Sequence, residues 1–127
     1  MILLDTSVLL WVVSHSSRLG TRCRARLANG EPTHVSSASI VELTIKSMLG
    51  KIDIPDDLDQ LLTEQGLLEL PVTNAHARTI RHVPSLTKHD PFDRILVAQA
   101  RCTGMDFLTS DRALLKLGQD YIVDARV

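Results

Sequence analysis

DPFDRILVAQARCTGMDFLTSD, residues 90–111, is the stretch whose reading decides the fold. Asp90 is placed to cap a helix, and Pro91 follows at the first helical position, where its missing N–H is not needed and its fixed φ is already helical. The predicted helix runs from Pro91 to about Cys102, with Ile95, Leu96, Ala98 and Gln99 along it, and Gly104 closes it. Phe107-Leu108-Thr109 then reads as a buried strand. Ser110-Asp111 opens a short helix ending near Gly118, and Tyr121-Ile122-Val123 is a last strand. Short apolar strands alternating with helices are the pattern of an α/β domain with a mostly parallel sheet.

The same alternation extends back to the start. Ile2-Leu3-Leu4 is a short apolar run that stops at Asp5-Thr6-Ser7, a strand running into a helix cap. Val8 to Val13 is apolar at every position, so a helix there needs cover on more than one side, and a partner or second copy is the expected cover. A helix with a basic face (Arg18, Arg22, Arg24, Arg26) is expected from Leu19 to Asn29, ended by Gly30. Thr33 to Val35 is a short strand, and Ser36-Ser37-Ala38-Ser39 starts a helix that Gly50 ends. Asp56 to Glu64 is an acidic helix, Leu67 to Leu70 a strand, and Thr73 caps a helix through about Arg81.

The chain of 127 residues is the size of one domain. Its 44% hydrophobic and 23% charged composition is globular. No apolar run approaches the roughly 20 residues that span a bilayer. The first residues lack a basic signal-peptide region, so the expected compartment is the cytoplasm. Cys23 and Cys102 have neither disulfide-scaffold nor zinc spacing. The net charge of −1 excludes a bulk electrostatic grip on nucleic acid, but residues 53–70 supply six of the fifteen acids and no Lys or Arg, so the rest of the chain is net basic. Only four aromatic residues are present (Trp11, Phe92, Phe107, Tyr121), too few for a base-stacking platform, so nucleic acid would be held by its backbone.

Ligands in open α/β sheets gather at the carboxyl ends of the strands. Two apolar strands here end in aspartate, at Asp5 and Asp111, and two further acids, Glu42 and Asp93, lie near helix starts that belong to the same edge. Each has a second reading. Asp5 and Asp111 suit helix caps, Glu42 stands three residues after Ser39 in capping-box spacing, and Asp93 in a first turn complements the helix dipole. Asp90 is assigned to the cap, leaving Asp93 for the site. Only their joint placement favours a site. Four carboxylates in one cleft repel unless a hard divalent cation neutralises them, and such an ion serves phosphodiester hydrolysis. His89 beside these acids is read as solvated or capping rather than as a substrate contact. No HExxH, P-loop, GxGxxG or EF-hand pattern is present.

Asp5 in LLDTS, Glu42 in SSASIVELTIKSMLGKI, Asp93 in HDPFDRILVAQA and Asp111 in FLTSD resemble the four acidic positions of PIN-domain ribonucleases, most closely the VapC-type toxins of bacterial toxin–antitoxin modules. The resemblance runs from Met1 to about Gly118. It implies a single PIN-like domain over 1–127, an α/β/α sandwich around a parallel sheet. It implies an endoribonuclease dependent on Mg²⁺ or Mn²⁺ that cuts structured RNA, commonly tRNA or rRNA, and stops translation. It further implies a VapB-type antitoxin and a homodimer. Asp5, Glu42, Asp93 and Asp111 would be the metal-binding and catalytic acids, supported by the hydroxyls of Thr6, Ser7 and Thr109. Arg18, Arg22, Arg24 and Arg26, or Lys88, Arg94 and Arg112, would contact phosphates.

Two other functions compete. A catalytically inactive PIN-like domain would bind a regulatory partner without cutting, against which stands the presence of all four acids. A phosphatase or phosphoacceptor built on Asp5 would want a DxD or a late-strand lysine, whereas the chain has Asp5-Thr6-Ser7 and Thr109-Ser110-Asp111.

Overall fold

Ile2, Leu3 and Leu4 have no exposed surface at all, which makes β1 (Ile2–Leu4) the centre of the molecule in a computed structural model that describes residues 1–127. The strand is covered on both faces, as a central parallel strand must be. Around it lie β2 (Thr33–Ser36), β3 (Leu68–Leu70), β4 (Asp106–Thr109) and β5 (Ile122–Asp124), in the spatial order β3-β2-β1-β4-β5 with every pairing parallel. The expected mostly parallel sheet is wholly parallel.

Successive strand residues point to opposite faces, and the core divides accordingly. Ile2, Leu4 and Leu108 join one cluster, while Leu3 and Phe107 join the other. The first cluster is closed by Val8, Leu9 and Val12 of α1 (Thr6–Val13), Cys23 of α2 (Thr21–Ala28), Leu43 of α3 (Ser37–Met48) and Leu58 of α4 (Leu58–Glu64). The second is closed by Leu96 and Val97 of α6 (Pro91–Thr103) and Leu114 of α7 (Arg112–Leu115), with α5 (Asn74–Thr79) packed beside α6. The result is the α/β/α sandwich expected from the sequence.

Several details differ from the sequence reading. The apolar helix α1 is covered by its own fold: Val8, Leu9 and Val12 are buried, and Leu10, Trp11 and Val13 pack half-buried against the same cluster. Its own fold supplies most of its cover, and Leu10, Trp11 and Val13 keep part of their surface open. Four of the eight exposed large apolar side chains lie on and just after α3, at Val41, Ile45, Met48 and Leu49. The α2 helix begins at Thr21 instead of Leu19, because Gly20 is its N-cap. A Cβ on Gly20 would collide with the Val127 backbone, which crosses there as Gly20 N–H donates to Ala125 O at 2.8 Å. The α3 helix is capped by Ser36, which accepts from Ala38 N, so Ser39 and Glu42 are not a capping box. The α5 helix ends at Thr79 and tightens into a 3-10 turn over Ile80–His82.

The strand order reverses direction between β1 and β4: from β1 the chain moves outward to β2 and β3, then returns to β4. Such a switch point leaves a crevice at the carboxyl ends of the two strands. Asp5 follows β1 there, and Asp111 follows β4.

Candidate active site

One cleft of about 350 Å³ is lined by Asp5, Glu42, Asp93 and Asp111, together with Thr6, Ser7, Lys46 and Ser110. The four acids arrive from four parts of the chain, and each is held by a local device.

Asp5 is 6% exposed. Its Oδ1 accepts from Thr6 N at 2.7 Å, at the start of α1, and its Oδ2 accepts from the Thr109 hydroxyl at 2.6 Å. Burial raises its pKa above the ordinary carboxylate value, against those two hydrogen bonds, and the nearby Glu42 and Asp111 push the same way. Glu42 lies one turn inside α3. Its Oε1 accepts from the Thr6 hydroxyl at 2.8 Å, and its Oε2 from Lys46 Nζ at 2.7 Å. Thr6 Oγ1 is also in hydrogen-bond contact with Ser39 Oγ at 3.0 Å, so the end of β1 and α3 are tied by hydroxyls. The Lys46 ammonium is held above its ordinary pKa chiefly by Glu42.

Asp111 is both cap and site residue. Its Oδ1 accepts from Ala113 N at 2.8 Å and Leu114 N at 3.3 Å, and the Thr109 hydroxyl accepts from Asp111 N at 3.0 Å. With Oδ1 committed to α7, Oδ2 is turned toward His89, 3.7 Å from its Nε2. Asp93 stands in the first turn of α6, with Oδ2 at 3.6 Å from the same Nε2. Asp90 caps that helix by accepting from Phe92 N at 2.8 Å. Asp93 is pushed up to about 7, first by burial and then by Asp5, Asp90 and Asp111, with His89 opposing. That is the signature of carboxylates crowded together without enough cations.

The donor set fits a hard divalent cation: carboxylate oxygens in excess, one lysine and one imidazole, opening to solvent. His89, Asp93 and Asp111 each offer a ligand atom within 4.8 Å of the others. Asp5 and Glu42 lie in the same cleft, but all four of their oxygens already accept protein donors.

His89 belongs to the cluster, where the sequence reading leaves it solvated or capping; its only signal there is proximity to Asp90 and Asp93. Ser7 lines the cleft, but its hydroxyl bonds to none of the four acids; Thr6 and Thr109 hold them instead. Arg26 is removed from the expected phosphate contacts, since its guanidinium is taken up by Glu31 and Asp106.

The sequence matches the PIN domain family over residues 2–119. Among curated proteins, none matches closely enough to count as a relative. Two solved structures share the fold. A toxin-antitoxin complex from Klebsiella pneumoniae superposes with a TM-score of 0.67 at 16% identity, covering 98% of this chain and 98% of that one. VapBC2 from Rickettsia felis, bound to a DNA fragment from its promoter, gives a TM-score of 0.69 at 12% identity, over 97% and 96% of the two chains.

Proposed function

The chain belongs to the PIN domain family, and from that premise we propose that it is a metal-dependent endoribonuclease, the VapC-type toxin of a toxin–antitoxin pair. Its substrate is a structured RNA, tRNA or rRNA, whose cleavage inhibits translation in the cytoplasm. A VapB-type antitoxin neutralises it. The observation that carries this reading is the convergence of Asp5, Glu42, Asp93 and Asp111 on one cleft at the switch point of the sheet. The toxin–antitoxin complexes that share the fold support the antitoxin partner.

A bound Mg²⁺ or Mn²⁺ supplies a Lewis acid that eases deprotonation of water and stabilises charge on the phosphodiester under attack. Asp93 and Asp111 would hold it through the carboxylate oxygens they turn to the cleft. Asp5, fixed by Thr6 N and Thr109, and Glu42, fixed by Thr6 and Lys46, would complete the negative field. The buried hydroxyls keep these carboxylates in place, so little reorganisation accompanies binding. The exposed side chains of Lys88 and Arg112, next in sequence to His89 and Asp111, would meet RNA phosphates.

A homodimer is the proposed assembly. Val41, Ile45, Met48 and Leu49 recur at helical spacing and are 50%, 44%, 81% and 64% exposed, an apolar stripe that a second copy would cover. Met48→Glu would then shift the protein to a monomer in light scattering.

The deciding experiment is incubation of total bacterial RNA with purified, antitoxin-free protein, with Mg²⁺ or Mn²⁺ and with chelator, beside an Asp93→Asn control. Discrete fragments that need the metal and vanish in the variant support the reading. Intact RNA with folded, metal-loaded protein overturns it.

A further inference from the structure

His89 lies between two elements of the cleft and is held there from outside it. The 3-10 turn Pro84–Leu86 buries Leu86 in the second core cluster, and His89 N donates to Leu86 O at 2.9 Å. The loop is thus pinned before α6 begins. The imidazole is three-quarters buried, and its Nε2 stands 3.6 Å from Asp93 Oδ2 and 3.7 Å from Asp111 Oδ2. The Asp111 carboxylate is oriented independently of it, and Asp93 is brought to it by the helix that follows. Asp111 Oδ1 is committed to capping α7, and Asp93 is set by the first turn of α6.

These two separations differ from every side-chain ion pair elsewhere in the molecule. Lys46 meets Glu42 at 2.7 Å, Arg26 meets Glu31 and Asp106 at 2.6 and 2.8 Å, and Arg126 meets Asp124 at 2.8 Å. Those are charge-assisted hydrogen bonds. His89 makes none with either acid, although it is near both. A ring nitrogen and two carboxylate oxygens spaced in this way can share one ion at bond lengths of about 2.0–2.2 Å, whereas a direct contact would close the gap.

We infer that His89 is a metal ligand, and that with Asp93 and Asp111 it forms a mixed nitrogen–oxygen coordination face that selects Mn²⁺ over Mg²⁺. Mg²⁺ takes oxygen donors and gains little from an imidazole, whereas the first-row transition ions accept the nitrogen, Mn²⁺ the least strongly among them. The inference rests on the nuclease reading only for the presence of a divalent ion in the cleft. It goes further in naming the ligand and the ion.

Pulsed EPR of the Mn²⁺-loaded protein tests it without reference to activity. A coordinated imidazole couples its ¹⁴N to the Mn²⁺ electron spin. The expected spectrum shows that coupling in the wild type and in His82→Gln, and lacks it in His89→Gln. Titration calorimetry should find Mn²⁺ binding weakened about tenfold or more by His89→Gln, with Mg²⁺ binding changed much less. Bound Mn²⁺ without ¹⁴N coupling in the wild type overturns the inference and makes His89 a mere counter-ion. RNA cleavage with such a spectrum would leave the nuclease reading standing. Failure of the protein to bind Mn²⁺ would overturn the inference, and failure to bind Mg²⁺ as well would remove the nuclease reading with it.

Discussion

Two groups of acids, one at each end of the sheet, are treated in opposite ways. At the amino end, Glu31 precedes β2 and Asp106 begins β4, and one arginine serves both. Arg26 donates from Nε to Glu31 Oε2 at 2.8 Å, from Nη2 to Glu31 Oε1 at 2.6 Å, and from Nη2 to Asp106 Oδ2 at 2.8 Å. Arg26, helped by the Met1 ammonium 3.2 Å from Glu31 Oε1, holds the Glu31 carboxyl at about 2. At the carboxyl end, four acids share Lys46 and His89, and Asp93 is pushed up to about 7 by burial and by its acidic neighbours. The fold neutralises the first group by itself. It leaves the second group buried and short of positive charge, the kind of cost that functional sites carry. That difference, more than the number of acids, separates a structural cluster from a candidate site.

The largest effect should come from removing charge at the carboxyl end. Asp93→Asn takes away a proposed ligand and should cut RNA cleavage by about a thousandfold or more, roughly 4 kcal/mol of transition-state stabilisation. The same change should raise the melting temperature of the metal-free protein at pH 8, because it relieves a crowded carboxylate. A variant that melts lower without metal would break the contrast between the two ends.

The pH dependence of the metal-free protein sharpens the same point. Folded Asp93 holds its proton up to about pH 7, while the unfolded residue releases it near 3.8. Between those values the folded state binds more protons, so its stability falls as pH rises through that window. Asp5, also raised, adds in the same direction. The loss is on the order of a few kcal/mol and should be visible as a declining melting temperature from pH 5 to 8. Saturating Mn²⁺ should flatten it. A melting temperature that climbs steadily from pH 5 to 8 without metal would contradict the crowding.

How much of this is legible in the sequence follows from what is local. Asp5 and Asp111 can be placed because an apolar strand and the polar residue ending it are adjacent in the chain, and all strand ends of a parallel sheet share an edge. Asp90 and Asp93 can be sorted because Pro91 fixes where the helix begins. Ser36, Ser37 and Ser39 offer three equivalent caps, and the choice depends on where β2 stops, so the capping-box spacing of Ser39 and Glu42 misleads. His89 is out of reach because its place depends on Leu86 finding the core through two 3-10 turns that have no periodic signature. Arg26 looks like one of four basic residues on a helix face. Its partners, 5 and 80 residues away, are set by the packing of α2 against the sheet.

The amino end should give smaller effects of the opposite sign. Arg26→Ala leaves the partly exposed Asp106 without its cation and Glu31 with only the Met1 ammonium at 3.2 Å, and should destabilise the protein by about 1 kcal/mol in urea unfolding at pH 7. Mn²⁺ affinity should be unchanged, since Arg26 and its two acids lie at the other end of the sheet. An Arg26→Ala protein as stable as the wild type would mean that solvent satisfies Glu31 and Asp106 as well as the guanidinium does.

Glu31→Gln should have the smallest effect, and its pH signature identifies the cause. The folded Glu31 carboxyl is held below its unfolded value of 4.5, so its contribution is fully present above that pH and is lost as pH falls through about 2. The glutamine amide keeps an acceptor for the guanidinium but has no charge to lose. At pH 7 the substitution should therefore cost under about 1 kcal/mol, less still at high salt, because the pair is partly solvated. Toward pH 2 the two proteins should converge, the wild type giving up its advantage. At the carboxyl end the corresponding pair, wild type and Asp93→Asn, should diverge as pH rises instead, because there the unmatched charge appears in the folded state and the substitution removes it. A constant gap in melting temperature between Glu31→Gln and wild type as pH falls from 7 toward 2 would show that Arg26 binds Glu31 by geometry without holding its charge, and the two ends of the sheet would no longer differ in kind.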